Sequence, residues 1–333
     1  MKKFKNIQII YLVVGILIGL LFSFIIYSLY GKEESRPNIF RDKNKNFVFT
    51  SPILDYEELS QMTSSSLGYN SFNKMTHSLA EKYGLSGFSV YFRDLNDGQW
   101  VGVNEKDAFS PASLMKTPLL IAFLKNVERD PSLLNKKMIA DEKYFKLATP
   151  QNFEVNNKIR QGQTYTLREV IEVMIEDSDN VAATMIFEHI REEDFSSLLR
   201  AVGVFEGGES YNSDIRVKDF ASFFRILYNA SYLNREMSEF ALSIFAKSNF
   251  NQGISAGLPN SVIVANKYGE RTLGQKINEK TTIARERQVH DCGIIYNDKN
   301  PYILCVMTKG NDFTKQLSFI KEISSYTYKN INN

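Results

Sequence analysis

Histidine, cysteine and tryptophan are scarce in this chain. Three histidines (His77, His189, His290) and two cysteines (Cys292, Cys305) stand among 333 residues. None falls at a metal-ligand spacing, so the sequence offers no zinc site. A Gly-rich phosphate loop is also missing, and no internal repeat is visible. Neither sign of charge is in excess: 40 Lys and Arg against 38 Asp and Glu leave a net charge of +2, which gives no electrostatic basis for binding nucleic acid. What is present, 43% hydrophobic and 23% charged residues, suffices for a substantial core in one large domain or two ordinary ones.

The N-terminus lacks charge over a long run. Lys2, Lys3 and Lys5 precede an uncharged, mostly Ile, Leu, Val, Phe and Tyr segment from Asn6 to Gly31. Residues 7–30 are long enough to cross a bilayer as a helix, and the basic residues ahead of them predict a cytoplasmic N-terminus. The run ends Ile25-Ile26-Tyr27-Ser28-Leu29-Tyr30, without the small-x-small site of a cleaved signal peptide, and no cysteine lies near it for a lipid anchor. The expectation is a single-pass anchor in the cell membrane over residues 1–31, an extracytoplasmic linker over 32–70, and a catalytic domain over 71–333 outside the cytoplasm. Within the linker, Phe47 to Leu54 is apolar enough to pack against the domain.

Along the domain, Asn73 to Tyr83 reads as a helix ended by Gly84. Phe88 to Phe92 and Trp100 to Val103 read as strands joined at Asn96-Asp97-Gly98, a strong hairpin signal. Helices are predicted over 112–127, 167–175, 181–191, 195–202, 217–227 and 235–247. Strands are predicted over 262–267, 288–296 and 302–307, and a last helix over 312–328. Strands therefore cluster at both ends and helices fill the middle, about residues 112–250. The simplest arrangement is α+β: one antiparallel sheet assembled from both ends of the domain, covered by terminal helices, with an all-helical lobe inserted. Cys292 and Cys305, counted outward from the turn Asn297-Asp298-Lys299-Asn300, face each other across a hairpin. That spacing suits either a disulfide or two buried thiols.

Three short motifs fall where the lobe would meet the sheet. Ser113-Leu114-Met115-Lys116 opens a mostly apolar run, which places Ser113 at the first turn of a buried helix with Lys116 on the same face. A partly buried amine that close can accept the hydroxyl proton. Ser-x-x-Lys recurs at Ser71 to Lys74 and Ser318 to Lys321, but in a polar stretch and inside an amphipathic helix. Ser178-Asp179-Asn180 alone also reads as a helix cap, and Lys267-Tyr268-Gly269 alone as a strand ending in a turn. Their joint order favours a nucleophile with its proton acceptor, a proton shuttle and an anion clamp. His290 reads as a hydrogen-bonded sheet histidine rather than a catalytic one.

In order and architecture the motifs resemble the penicillin-recognising serine enzymes, the class A β-lactamases and their serine peptidase relatives. The stretches Asp94 to Gly98, Phe109 to Ser113, Val289 to Ile295 and Pro301 to Leu304 extend the resemblance over roughly Asn73 to Tyr328. It implies that Ser113 attacks an amide or lactam carbonyl to form an acyl-enzyme, and that Lys116 takes its proton. Ser178 would relay that proton to the leaving nitrogen, and Asn180 would bond the substrate or Lys116. Lys267 would hold Ser178 and attract a substrate carboxylate, while Tyr268 and Gly269 line the substrate. The backbone N–H groups of Ser113 and Glu270 would form the oxyanion hole. No cofactor is implied. The expected partner besides the lipid bilayer is a β-lactam or a peptidoglycan-type peptide.

Two departures bear on substrate and turnover. Tyr268 stands where the family has Thr or Ser, whose hydroxyl helps hold a ligand carboxylate; Arg271, Arg285 or Arg287 are candidates to compensate. The deacylating Glu-x-x-Leu-Asn motif is absent. Glu209-Ser210-Tyr211-Asn212 is one residue short and lacks the Leu, leaving Glu209 and Asp214 as weak deacylation candidates beside the reading of Gly207 to Ser210 as a solvated turn. The polar segment Glu270 to Gln288 is long for a connection and reads as a flap or a surface insertion. The sequence thus predicts a membrane-anchored serine hydrolase. Its alternatives are a D-alanyl-D-alanine peptidase, or another envelope amidase or esterase, that releases β-lactams slowly, and a non-catalytic cell-wall-binding domain.

Overall fold

The computed structural model describes residues 48–50, 68–154, 156–204, 214–278, 281–297 and 300–331. The anchor predicted over residues 7–30, most of the linker, and Glu209 lie outside the described residues. No helix among the described residues is long and apolar enough to cross a membrane.

Helix α1 (Tyr69–Tyr83) leads into strands β1 (Gly87–Asp94), β2 (Trp100–Val103) and β3 (Ala108–Phe109). The lobe follows: α2 (Lys116–Arg129), β4 (Lys137–Ile139), α3 (Glu142–Leu147), β5 (Thr164–Thr166), α4 (Leu167–Glu176), α5 (Asn180–Phe187), α6 (Glu192–Ala201), β6 (Ile215–Arg216), α7 (Val217–Tyr228) and α8 (Arg235–Phe245). The chain then returns to the sheet as β7 (Ile263–Asn278), β8 (Thr281–Tyr296) and β9 (Tyr302–Gly310), and ends in α9 (Phe313–Ile331). The main sheet has the order β2-β1-β9-β8-β7, with antiparallel pairs throughout. Both ends of the domain supply its strands, as the clustering of strand signals predicts.

Alternation along the strands divides the core in two. Tyr91, Cys305, Ile303 and Met307 face the lobe and join Leu120, Phe123, Met174, Phe220 and Phe245 in one cluster. Val90, Phe92, Leu304 and Val306 face the other way and join Phe72, Phe319, Ile320 and Ile323 of the terminal helices. With both faces covered, β9 is buried along almost its whole length. Cys292 and Cys305 pair directly across β8 and β9 and are buried free thiols, the second of the two options their spacing allowed.

Local signals set the lobe. Thr166 and Glu169 form a reciprocal capping box on α4, and Asn234 caps α8 through Met237 N–H. Residues 48–50 dock on α8: the Glu239 carboxylate accepts from the backbone N–H groups of Val48, Phe49 (2.6 Å) and Thr50 (2.7 Å). The Phe49 ring meets Tyr296 edge-on at 5.4 Å.

One expectation is corrected. The stretch from Glu270 to Gln288 is no long connection: β7 and β8 run on as a paired ribbon from Ile263↔Tyr296 to Asn278↔Thr281, with register shifts after Leu273 and Lys276. The sequence of this stretch is mostly polar and charged, without the alternation that marks a half-buried strand.

Candidate active site

The site forms where the first lobe helix meets the edge strand β7. Ser113 lies in a 3-10 turn, Ala112–Met115, that runs directly into α2. Residues three apart eclipse in a 3-10 turn, which brings Lys116 Nζ to 2.9 Å from Ser113 Oγ. Ala112, immediately before the nucleophile, holds φ +47°, and Ser178 holds φ +59°. Left-handed backbone in non-glycine residues costs about 1–3 kcal/mol each and persists where the surroundings fix it.

Ser178, Asp179 and Asn180 divide the work. Asp179 is indeed the helix cap: Oδ1 accepts Ala182 N–H at 2.8 Å and Oδ2 accepts Ile159 N–H at 3.2 Å. That turn aims its two neighbours at Lys116. Lys116 Nζ contacts the Ser178 carbonyl oxygen (2.5 Å), Asn180 Oδ1 (2.5 Å) and Ser178 Oγ (3.1 Å). Asn180 Nδ2 donates to the Thr149 carbonyl at 2.8 Å, which fixes the amide so that Oδ1 faces the lysine. Carbonyl and amide oxygens only accept. A neutral amine has two N–H bonds, and these two oxygens occupy both. Its lone pair is then left for a hydroxyl, and Ser113 Oγ is the nearer of the two.

Lys116 is buried, with 3% exposure. Burial pulls its pKa from 10.5 to about 7, against the opposing charges of Asp179 and Glu270. Lys267 is fully buried, and burial followed by the nearby charge of Lys116 holds its pKa well below the usual lysine range. Lys267 Nζ donates to the Tyr268 carbonyl at 2.9 Å and lies 4.2 Å from that ring's centre. The bond from Lys267 to Ser178 expected from the sequence is not made: Ser178 Oγ is held by Lys116 instead.

Tyr268 is 4% exposed and stacks on Phe250 with ring centres 4.0 Å apart. Phe153 closes over it at 6.0 Å. Burial pushes the phenol up to about 12, while the adjacent Ser178 hydroxyl pulls it down. Tyr268 is thus a packed aromatic wall rather than a small hydroxyl donor. Gly269 explains how β7 comes so close to the nucleophile. A Cβ there would sit 2.8 Å from Pro111 O and 2.9 Å from Leu114 N, so a side chain would force the strand off the turn that carries Ser113. Arg271 is turned to Ser110 Oγ at 2.7 Å, and the Arg287 guanidinium lies 5.2 Å over Phe313. His290 is buried among sheet residues: Nδ1 accepts Thr308 N–H (3.2 Å) and Nε2 donates to the Ser110 carbonyl (2.9 Å), pinning the segment before Ser113.

Sequence reasoning missed the strap Thr149 to Glu154. Besides the Thr149 contact with Asn180, Gln151 Nε2 donates to the Ser178 carbonyl at 2.9 Å. Asn152 donates to Glu270, from its backbone N–H at 2.8 Å and from its side-chain amide. Ala148-Thr149-Pro150-Gln151-Asn152-Phe153-Glu154 has no periodicity, and no sequence signal links it to a strand more than a hundred residues away. Asp214, the second deacylation candidate, is exposed. Among the described residues no carboxylate hydrogen-bonds Ser113 or Lys116.

A model described as the beta-lactamase enzyme family matches residues 71–331. Among solved structures, PBP-A matches with a TM-score of 0.63 at 19% identity, over 78% of this chain and 95% of that one. A mutant of PBP-A in an acyl-enzyme complex with penicillin G matches with 0.62 at 20% identity, over 78% and 96%. A class A beta-lactamase from Mycobacterium abscessus matches with 0.64 at 16% identity, over 79% and 100%. At these identities the structural likenesses show the fold. No curated protein matches the chain.

Proposed function

This chain belongs to the beta-lactamase enzyme family, a family of serine hydrolases that work through an acyl-enzyme, and from that premise we propose that Ser113 is its nucleophile and Lys116 its general base. The single observation that carries this reading is the 2.9 Å contact from Lys116 Nζ to Ser113 Oγ, made by an amine whose other near partners include two oxygens that can only accept. Lys116 takes the hydroxyl proton as Oγ bonds to the substrate carbonyl carbon. The resulting oxyanion lies at the N–H groups of Ser113 and Glu270. Ser113 opens a helical turn, where N–H groups lack intrahelical partners, and Glu270 lies on the edge strand β7. The proton then passes from Lys116 through Ser178 Oγ to the leaving nitrogen as the C–N bond breaks. Lys267 sets the potential around Ser178 through space rather than by a hydrogen bond.

The substrate under this reading is a β-lactam or a peptidoglycan-type amide, and the enzyme works outside the cytoplasm on an anchor over residues 7–30. The order of the three motifs and the basic flank ahead of an uncharged N-terminal run support it. The absence of a Glu-x-x-Leu-Asn motif favours slow release of the acyl group. The test is labelling of the full-length protein in detergent with a fluorescent penicillin. The reading expects a covalent band that is lost in Ser113→Ala and persists through a chase; a band unaffected by Ser113→Ala removes it. Protease protection in sealed vesicles tests the anchor, with the domain expected on the extracytoplasmic side.

A further inference from the structure

Glu270 is an acidic side chain at the junction of strap and edge strand, and its charge reaches the buried Lys116 and Lys267 through space alone, without an ion pair. Its carboxylate accepts from Asn152 N–H at 2.8 Å and from the Asn152 side-chain amide. Thr272 Oγ1 donates to Asn152 Oδ1 at 3.1 Å on the same side of β7. The basic residues whose side chains are described nearby point elsewhere: Arg271 to Ser110, Arg287 onto Phe313, and Lys267 to the Tyr268 carbonyl. Glu270 forms no ion pair among the described residues. Across the cleft, Gln151, Asn152 and Asn180 are uncharged.

Glu270 directly follows Gly269, which packs against Pro111 and Leu114 on either side of the nucleophile in sequence. A carbonyl held at the Ser113 and Glu270 N–H groups therefore has its flanking atoms within one side-chain length of the Glu270 carboxylate. An anionic substituent there meets a like charge. An ammonium displaces the neutral Asn152 donors and gains an ion pair. Building on the serine-hydrolase reading above, we infer that Glu270 is a specificity-determining residue, which sets this cleft for acyl donors carrying an ammonium group beside the scissile carbonyl and against those carrying a carboxylate.

The test uses the full-length protein in neutral detergent and three forms of one penicillin: the free carboxylate, its methyl ester, and an aminoethyl amide bearing an ammonium. Acylation rate constants at Ser113 are read by intact mass. The order expected is cation over neutral over anion, and Glu270→Gln is expected to compress the spread between cation and anion by about tenfold. Asn152→Ala, which removes the strap bond and keeps the charge, is expected to speed all three without changing their order. Raising salt from about 0.05 M to 0.5 M on the unmodified protein is expected to narrow the spread, a readout that stands even if a variant fails to fold. A carboxylate form that reacts fastest, or a spread untouched by both Glu270→Gln and salt, overturns the inference while leaving the hydrolase reading intact. Failure of all three forms to modify Ser113 removes the hydrolase reading, and this inference with it.

Discussion

Burial of Lys116 makes acylation a titration. With its pKa pulled to about 7, the fraction of neutral amine follows a single-proton curve: about 0.1 at pH 6, about 0.5 at pH 7 and about 0.9 at pH 8. The rate constant for acylation of Ser113 should rise about tenfold from pH 6 to pH 8 and then level off. The sign follows from the cause, since desolvation disfavours the ammonium and the neutral form is the proton acceptor. Glu270 opposes that shift, so Glu270→Gln should move the midpoint to lower pH. Lys116→Arg keeps a cation but cannot shed its proton, and should lower the rate by about 10²–10⁴ at every pH. Stopped-flow or quenched mass measurements with the methyl-ester penicillin give the profile, because that substrate does not itself titrate. A rate that is flat or falls through pH 7, or a Lys116→Arg variant of undiminished rate, refutes the assignment of Lys116 as base.

The same physics predicts stability effects. His290 is neutral in the fold, its pKa depressed to about 4 mainly by burial. Its contribution is full above the unfolded value of about 6.5 and is lost as pH falls from there to about 4; Tm should drop over that window, and less so in His290→Gln. Tyr268→Ala removes a ring stacked on Phe250 at 4.0 Å and should cost about 3–5 kcal/mol in denaturant unfolding. Glu239→Ala strands the N–H groups of residues 48–50; it should cost about 1–3 kcal/mol and raise amide exchange at those residues, with protection unchanged in α9.

Much of this site was legible because its key spacings are short. Three residues separate Ser113 from Lys116, and Ser178 and Asn180 flank the cap that orients them both. The 3-10 turn that sets the 2.9 Å contact was not legible, since the sequence signals only a helix start. Counting outward from the turn at 297–300 placed Cys292 opposite Cys305, because register is set by turn geometry. The ribbon of β7 and β8 beyond Glu270 escaped because its sequence is mostly polar and lacks the alternation of a half-buried strand. The strap escaped because its bonds join Asn152 to Glu270 and Thr272 through tertiary contact alone. Tyr268 was visible as a departure, but only packing reveals it as a wall against Phe250 and Phe153.

The account rests on one covalent bond. After reaction with an excess of penicillin methyl ester, proteolysis and tandem mass spectrometry should place the added mass on Ser113 within the peptide carrying Ser113-Leu114-Met115-Lys116, with no adduct in Lys116→Ala over the same time. An adduct on another residue, or one on Ser113 formed as fast without the lysine, contradicts it.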